Sequence, residues 1–226
     1  MKQDSKLARE LYNKQFKKFS KRQTEYKVVQ QLKDKIYSFL GSIKNKKILF
    51  AGCGDGLECI LTVKKGARVV GIDISEEGIE SAKRNCPGAE FYVADFERTK
   101  FKNNSFDVIV SILAVMYKKN LGLVLKEFRR ILKREGFIVL AVPHPTRKML
   151  KYNKMNYFIK GKKLEVWRGI RRFNYYRLFE DYFDNFISSK LKVVKLIEPK
   201  PVKENERTPN LEVNHPHFLI FKLIKD

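Results

Sequence analysis

The sequence is poor in residues that build metal sites and covalent frameworks. Its three cysteines, Cys53, Cys59 and Cys86, are odd in number and lack paired CxxC spacing, which argues against a disulfide scaffold or a zinc site. The three histidines, His144, His215 and His217, have no partnered Cys or acidic ligands, so no metal is expected. Long apolar runs are also missing. The longest, Val108 to Tyr117, spans about half a membrane thickness and contains Ser111, so no integral membrane insertion is expected. The first sixteen residues lack the apolar stretch of a secretory leader, which predicts a cytoplasmic chain. No internal repeat or low-complexity tract is visible.

Acidic residues are scarce as well: 25 against 48 basic ones, for a net charge of +23. The excess lies in the flanks. Residues 1–47 carry +10, residues 48–142 only +3, and residues 143–226 again +10. Such a field favours RNA, a phospholipid surface or a negatively charged small substrate, and it also serves plain solubility. The basic amphipathic amino-terminal segment adds membrane-surface association as an option. Hydrophobic residues make up 43%, with 17 Phe and 10 Tyr, enough for a sizeable core.

Residues 1–40 read as two helical segments, with Leu7, Leu11, Tyr12, Phe16 and Phe19 on one stripe and Val28 to Leu40 continuing it. From Lys47 the texture alternates. Strands are expected at 48–51, 68–72, 90–93, 106–113 and 137–142, with helices at 57–65, 75–84 and 121–132 between them. Residues 176–189 look helical, and 192–197 and 217–223 look β-rich. This alternation predicts an α/β fold with helices on both faces of a largely parallel sheet.

Gly52-Cys53-Gly54-Asp55-Gly56 follows the first strand and opens a helix, so the chain can turn sharply and bring backbone N–H groups close to a ligand. Asp73 ends the next strand, 21 residues after Gly52, where a carboxylate can accept hydrogen bonds from both hydroxyls of a ribose. Asp95 ends the third, where it can take an exocyclic amino group while Phe96 or Ile74 sandwiches the ring. Leu57 stands where a dinucleotide reader would want a third glycine, and no phosphate-loop lysine follows.

In these blocks the chain resembles the class I S-adenosylmethionine-dependent methyltransferases of the type 11 superfamily: ILFAGCGDG at 48–56, VVGIDIS at 69–75, FYVADFE at 91–97, NNSFDVIVS at 103–111 and LKEFRRILKREGFIVLAVP at 125–143. The resemblance implies a Rossmann-like, doubly wound sheet of about seven strands with the last antiparallel, and S-adenosyl-L-methionine as cofactor. It implies that Gly52 and Gly54 line the methionine portion, Asp73 the ribose, and Asp95 and Phe96 the adenine, with Cys53, Gly56 and Ile74 also expected among the cofactor-binding residues. Ser111 would begin the segment facing the transferred methyl. One departure is Phe50, where relatives usually carry an acidic residue. That leaves three alternatives: weaker cofactor binding, compensation by Asp55, or lost activity. Met116 stands where relatives often place a His, and Tyr117 after it remains a candidate catalytic residue.

His144, just past the last parallel strand, is the candidate base by position, and a loop-holding role is equally open. Residues Arg147–Arg177 interleave 11 Lys or Arg and seven aromatics with a single acid, Glu165. That texture suits single-stranded nucleic acid or a planar anionic metabolite. The expected organisation is one domain, 1–226, divided into a helical cap (1–44), a cofactor core (45–143), a basic aromatic lid (144–176) and closing elements (177–226). Tyr12, Trp167, Tyr176 and Arg177 are the expected substrate contacts. The expected activity is methyl transfer to O or N of a small anionic or aromatic acceptor. The alternatives are a tRNA or other RNA methyltransferase and a cofactor-binding pseudo-enzyme acting as an interaction protein.

Overall fold

Side-chain alternation on the first strand sorts the core into two layers. On β1 (Lys47–Ala51), Leu49 and Ala51 face one side of the sheet while Ile48 and Phe50 face the other. The computed structural model describes residues 3–25, 27–147, 149, 156–167, 169–202 and 214–226. Side chains of 17–25 and of Val28 and Trp167 lie outside that description, and with them Phe19 of the amino-terminal stripe.

Two helices lead the chain, α1 (Gln3–Glu25) and α2 (Lys27–Leu40). After β1 come α3 (Leu57–Lys64), β2 (Arg68–Asp73), α4 (Glu76–Asn85), β3 (Glu90–Val93) and β4 (Phe106–Ile112). A 3-10 turn at Val115–Tyr117 precedes α5 (Leu121–Ile131) and β5 (Leu132–Pro143). The chain closes with β6 (Gly161–Trp167), β7 (Ile170–Tyr176), α6 (Phe179–Ser188), β8 (Leu191–Ile197) and β9 (Phe218–Lys225). Among the described residues no helix is long and apolar enough to cross a membrane.

Seven strands form one sheet in the order β3-β2-β1-β4-β5-β9-β8. The first five run parallel, and β9 inserts antiparallel to both β5 and β8. The Rossmann-like, doubly wound sheet with an antiparallel last strand is therefore present. Helices α5 and α6 cover one face through Val124, Leu125, Phe128, Tyr182 and Phe186. Helices α2, α3 and α4 cover the other through Leu32, Ile36, Cys59, Ile79 and Ala82. Strand order reverses between β1 and β4, the switch point at which open α/β sheets leave a crevice for ligands.

Local chemistry sets the helix starts. The Ser75 hydroxyl accepts the Gly78 N–H at 3.0 Å, and Asn120 accepts that of Leu123 at 3.1 Å. Apart from shifts of one or two residues at element ends, the structure departs from the sequence reading as follows. Strand β5 begins at Leu132 because that residue pairs with Phe106 ahead of a register shift, and Lys133 reaches Asp107 at 3.0 Å. Tyr176 belongs to a strand; α6 starts at Phe179, where the Asp181 carboxylate accepts the Leu178 N–H at 2.7 Å. The basic aromatic segment contains a separate antiparallel hairpin, β6–β7.

Phe128 is fully buried against the sheet and 6.1 Å from Phe96 between ring centroids. Phe128→Ala is expected to cost about 3–5 kcal/mol. Urea unfolding should show an earlier midpoint at unchanged slope; a loss below about 1 kcal/mol would contradict this packing.

Candidate active site

The turn after β1 is built on left-handed backbone. Gly52, Gly54 and Gly56 have φ of 79, 53 and 72°. The Gly52 N–H donates to Ile72 O at 2.8 Å, and a Cβ on Gly52 would sit 2.3 Å from that of Ala114, so this glycine permits a close approach. Nothing lies within 4 Å of the Cβ position on Gly54, which opens toward space.

Asp73 ties this turn to the next helix. Its Oδ2 accepts the Gly54 N–H and its Oδ1 the Ser75 N–H, both at 2.9 Å. Burial pushes its carboxyl up, opposed by these backbone donors. Asp95 lies one strand further along. Its carboxylate accepts from Lys118 Nζ at 2.5 Å, Ser5 Oγ at 2.7 Å and the Glu97 N–H at 2.9 Å. Burial alone would raise its pKa, but Lys118 and these donors hold it below the ordinary 3.8. The Lys118 ammonium also stands 5.1 Å from the centroid of Phe96.

Helix α1 roofs the cleft with Ala8, Tyr12 and Phe16. Arg9 and Asn13 both hold Glu76, with Arg9 Nε at 2.8 Å, while the Ser75 hydroxyl donates to Asn13 Oδ1 at 2.6 Å. The rings of Tyr12 and Tyr117 meet edge to face at 5.8 Å, and Tyr117 meets Phe173 of β7 at 5.5 Å. Burial pushes both phenols up. Val29, Lys33, Phe50 and Glu58 also line the cleft. Counted out to its open mouth, the cleft measures about 1010 Å³.

The structure brings nine of the sequence-derived candidates to this one cleft: Gly52, Cys53, Gly54, Asp73, Ile74, Asp95, Phe96, Tyr12 and Tyr117. Others lie elsewhere. Gly56 packs on Ala82 of α4, and Ser111 is fully buried, donating to Ala51 O at 2.9 Å. His144 holds Glu198 through Nε2 at 2.8 Å, accepts the Thr146 N–H at Nδ1 and packs on Phe179. Its pKa is lowered, by burial above all, although Glu198 opposes this. Tyr176 reaches toward Glu165 at the hairpin base, and Arg177 is buried with its guanidinium on the carbonyls of Lys118 and Lys119. Trp167 pairs with Ile170 across the hairpin; its side chain is outside the described residues.

Comparison with known proteins agrees with this geometry. Residues 49–140 match the family model of a methyltransferase domain. Over those residues, well under half of its length, the chain is similar to methyltransferase domains. A ubiquinone biosynthesis O-methyltransferase of Pelagibacter ubique is 36% identical over 118 residues, 50% of this chain and 49% of that protein. An uncharacterized RNA methyltransferase of Clostridium acetobutylicum is 30% identical over 148 residues, 66% of this chain and 27% of that one. The chain spans about half the length, or less, of the curated relatives it matches first. An S-adenosylmethionine-dependent methyltransferase structure from Mesorhizobium loti shares the fold at TM-score 0.73, with 21% identity over 84% of this chain and 95% of that one.

The donor set of this cleft fits an adenosyl ligand: two strand-terminal carboxylates and an open glycine turn share it with the rings of Tyr12, Phe16, Phe96 and Tyr117. Sequence reasoning missed Ser5, Lys118, Lys33 and Glu58. Lys33 sits in a helix whose other lysines are solvated, and Ser5 meets Asp95 across 90 residues of chain. No local pattern carries either contact.

A carboxyl held below its ordinary pKa adds stability above that value, and this is lost as pH falls through the lower folded pKa. Lys118→Met is therefore expected to cost about 1–2 kcal/mol near neutrality and to flatten the fall in stability below about pH 4. Denaturant melts across that range check it; an unchanged acid limb would contradict the Asp95 pairing.

Proposed function

We propose that this chain transfers a methyl group from S-adenosylmethionine to an oxygen or nitrogen of a small anionic or aromatic acceptor. The observation that carries the reading is the convergence of Asp73, Asp95 and the Gly52–Gly54 turn on one cleft roofed by aromatic side chains. When bound, the cofactor supplies an electrophilic methyl on a positively charged sulfur. The chain's task is then alignment, because an in-line displacement with a good leaving group gains most from proximity and orientation.

In this reading Asp73 takes the ribose hydroxyls, and Asp95 with Phe96 and Ile74 takes the adenine. Gly52, Cys53 and Gly54 offer backbone beside the methionine portion. Tyr12, Phe16 and Tyr117 face the sulfonium and acceptor with aromatic surface, which favours cations and flat rings. The raised pKa of Tyr117 keeps its proton at neutral pH, so it serves as a hydrogen-bond donor that orients the acceptor. Both ring nitrogens of His144 are engaged, and it is not among the residues lining the cleft. The reaction is thus assigned no histidine base, and an acceptor that ionises by itself fits best.

The RNA alternative draws on the basic flanks and the basic hairpin. A cleft walled by α1 speaks for the small acceptor.

Calorimetry with S-adenosylhomocysteine tests the core of the reading. Binding is expected in the micromolar range, and Asp73→Ala should weaken it by about 1–3 kcal/mol, because a ligand hydroxyl loses its acceptor. No detectable binding to the unmodified chain would remove the reading. Turnover should rise with pH along the acceptor's own titration, and should respond weakly to salt. A log–log salt slope of several units would transfer the proposal to RNA.

A further inference from the structure

Phe50 occupies the position, two before the first glycine, where the sequence resemblance leads one to expect a carboxylate. The cleft wall around it is charged nevertheless. Lys33 of α2 and Glu58 of α3 form an ion pair at 2.5 Å, with side chains only 10% and 13% exposed. Both line the cleft beside Phe50, Val29 and Cys53. The Tyr37 hydroxyl donates to the Glu58 carbonyl at 2.6 Å, fastening the start of α3 to α2. Lys33 arrives on a helix that packs against β5 and β9, across the sheet from β2 and β3, which carry Asp73 and lead to Asp95.

Burying an ion pair costs desolvation that its own attraction seldom repays, and an apolar pair of similar volume often stabilises a fold as well. At the edge of a ligand cleft the same pair has a use, because it presents adjacent charges of opposite sign to whatever enters. A zwitterion laid antiparallel to that dipole sets each of its charges against a counter-ion and completes the hydrogen bonding of both side chains.

We propose that Lys33 and Glu58 together read the amino-acid end of the S-adenosyl ligand, Glu58 accepting from its ammonium and Lys33 donating to its carboxylate. The inference rests on the methyltransferase reading and names the residues that take over at the wall where Phe50 offers no charge. A single carboxylate would hold only the ammonium. The pair holds both ends and is neutral as a unit when the cleft is empty. Asp55 also reaches this wall, with its Oδ1 3.4 Å from the Leu57 N–H at the start of its own helix.

Two probes separate the ends of the ligand: S-adenosylhomocysteine carries the zwitterion and 5′-methylthioadenosine lacks it. Calorimetry on the full chain is expected to show tighter binding of the first. Glu58→Gln should weaken S-adenosylhomocysteine by about tenfold or more. The exchange of Lys33→Glu with Glu58→Lys keeps a buried pair while reversing its dipole, and should weaken that ligand at least as much. Methylthioadenosine should stay within about twofold throughout, as expected of groups remote from the adenosyl contacts. Equal weakening of both probes would make the pair a brace of the fold and overturn the inference. So would unchanged S-adenosylhomocysteine affinity in the exchange variant, or equal affinity of the unmodified chain for both probes. A chain that binds S-adenosylhomocysteine, but no more tightly than methylthioadenosine, leaves the cofactor reading standing and sinks this one. A chain that binds neither sinks both.

Discussion

The site hangs on one carboxylate that accepts from two segments of backbone. Asp73 takes the N–H of Gly54 on one oxygen and of Ser75 on the other, locking the glycine turn to the start of α4. From there a continuous polar chain climbs to the roof: Ser75 donates to Asn13, and Asn13 and Arg9 both hold Glu76. Burial at Asp73 makes its own two backbone bonds costly to leave unmade. The turn, the helix cap and the position of α1 are therefore set by one network. A roof fixed this way lies in register with the floor beneath it, and that permits Tyr12 and Tyr117 to meet across the cleft.

The far end of the roof is held differently. Arg9 and Glu76 are each 40% exposed, so their ion pair adds little. Lys118 and Asp95 are more enclosed, at 6% and 25%, and Ser5 joins them. The strongest tether of α1 thus sits on the oxygens that the proposed cofactor would use. Arg177 keeps the Lys118 backbone in place by gripping two successive carbonyls. An adenine amino group on Asp95, as proposed, would compete with Lys118 and Ser5 for the same oxygens. Closure of the roof and recognition of the ligand therefore draw on the same groups.

What the sequence disclosed follows the reach of local physics. Strand and helix alternation, the glycine turn, the Ser75 cap and the strand-terminal acids are written within windows of a few residues, so period and composition reveal them. The β6–β7 hairpin is not. Its strands mix Lys, Arg and aromatics without clean alternation, because Glu165 and Asn174 are buried there alongside Ile170 and Phe173. Lys133-Arg134-Glu135 reads as a polar link, yet its backbone continues β5, since pairing at Phe106 begins before the apolar run does. Lys33 and Lys118 look like any surface lysine until distant acids meet them.

The hairpin also changes where specificity resides. The basic aromatic segment was expected to cover the cleft, whereas none of its described residues lines it; α1 does. The hairpin stands behind that helix instead. Gln15 exchanges two hydrogen bonds with the Arg171 backbone, and Tyr175 and Lys162 hold Asp4 near the other end of α1. Phe173, fully buried, supports the ring of Tyr117 from the rear. Close packing transmits displacement, so a change of volume at Phe173 moves an aromatic wall of the cleft without touching anything bound there. In the proposed reading, sequence variation in the hairpin tunes the acceptor site from behind.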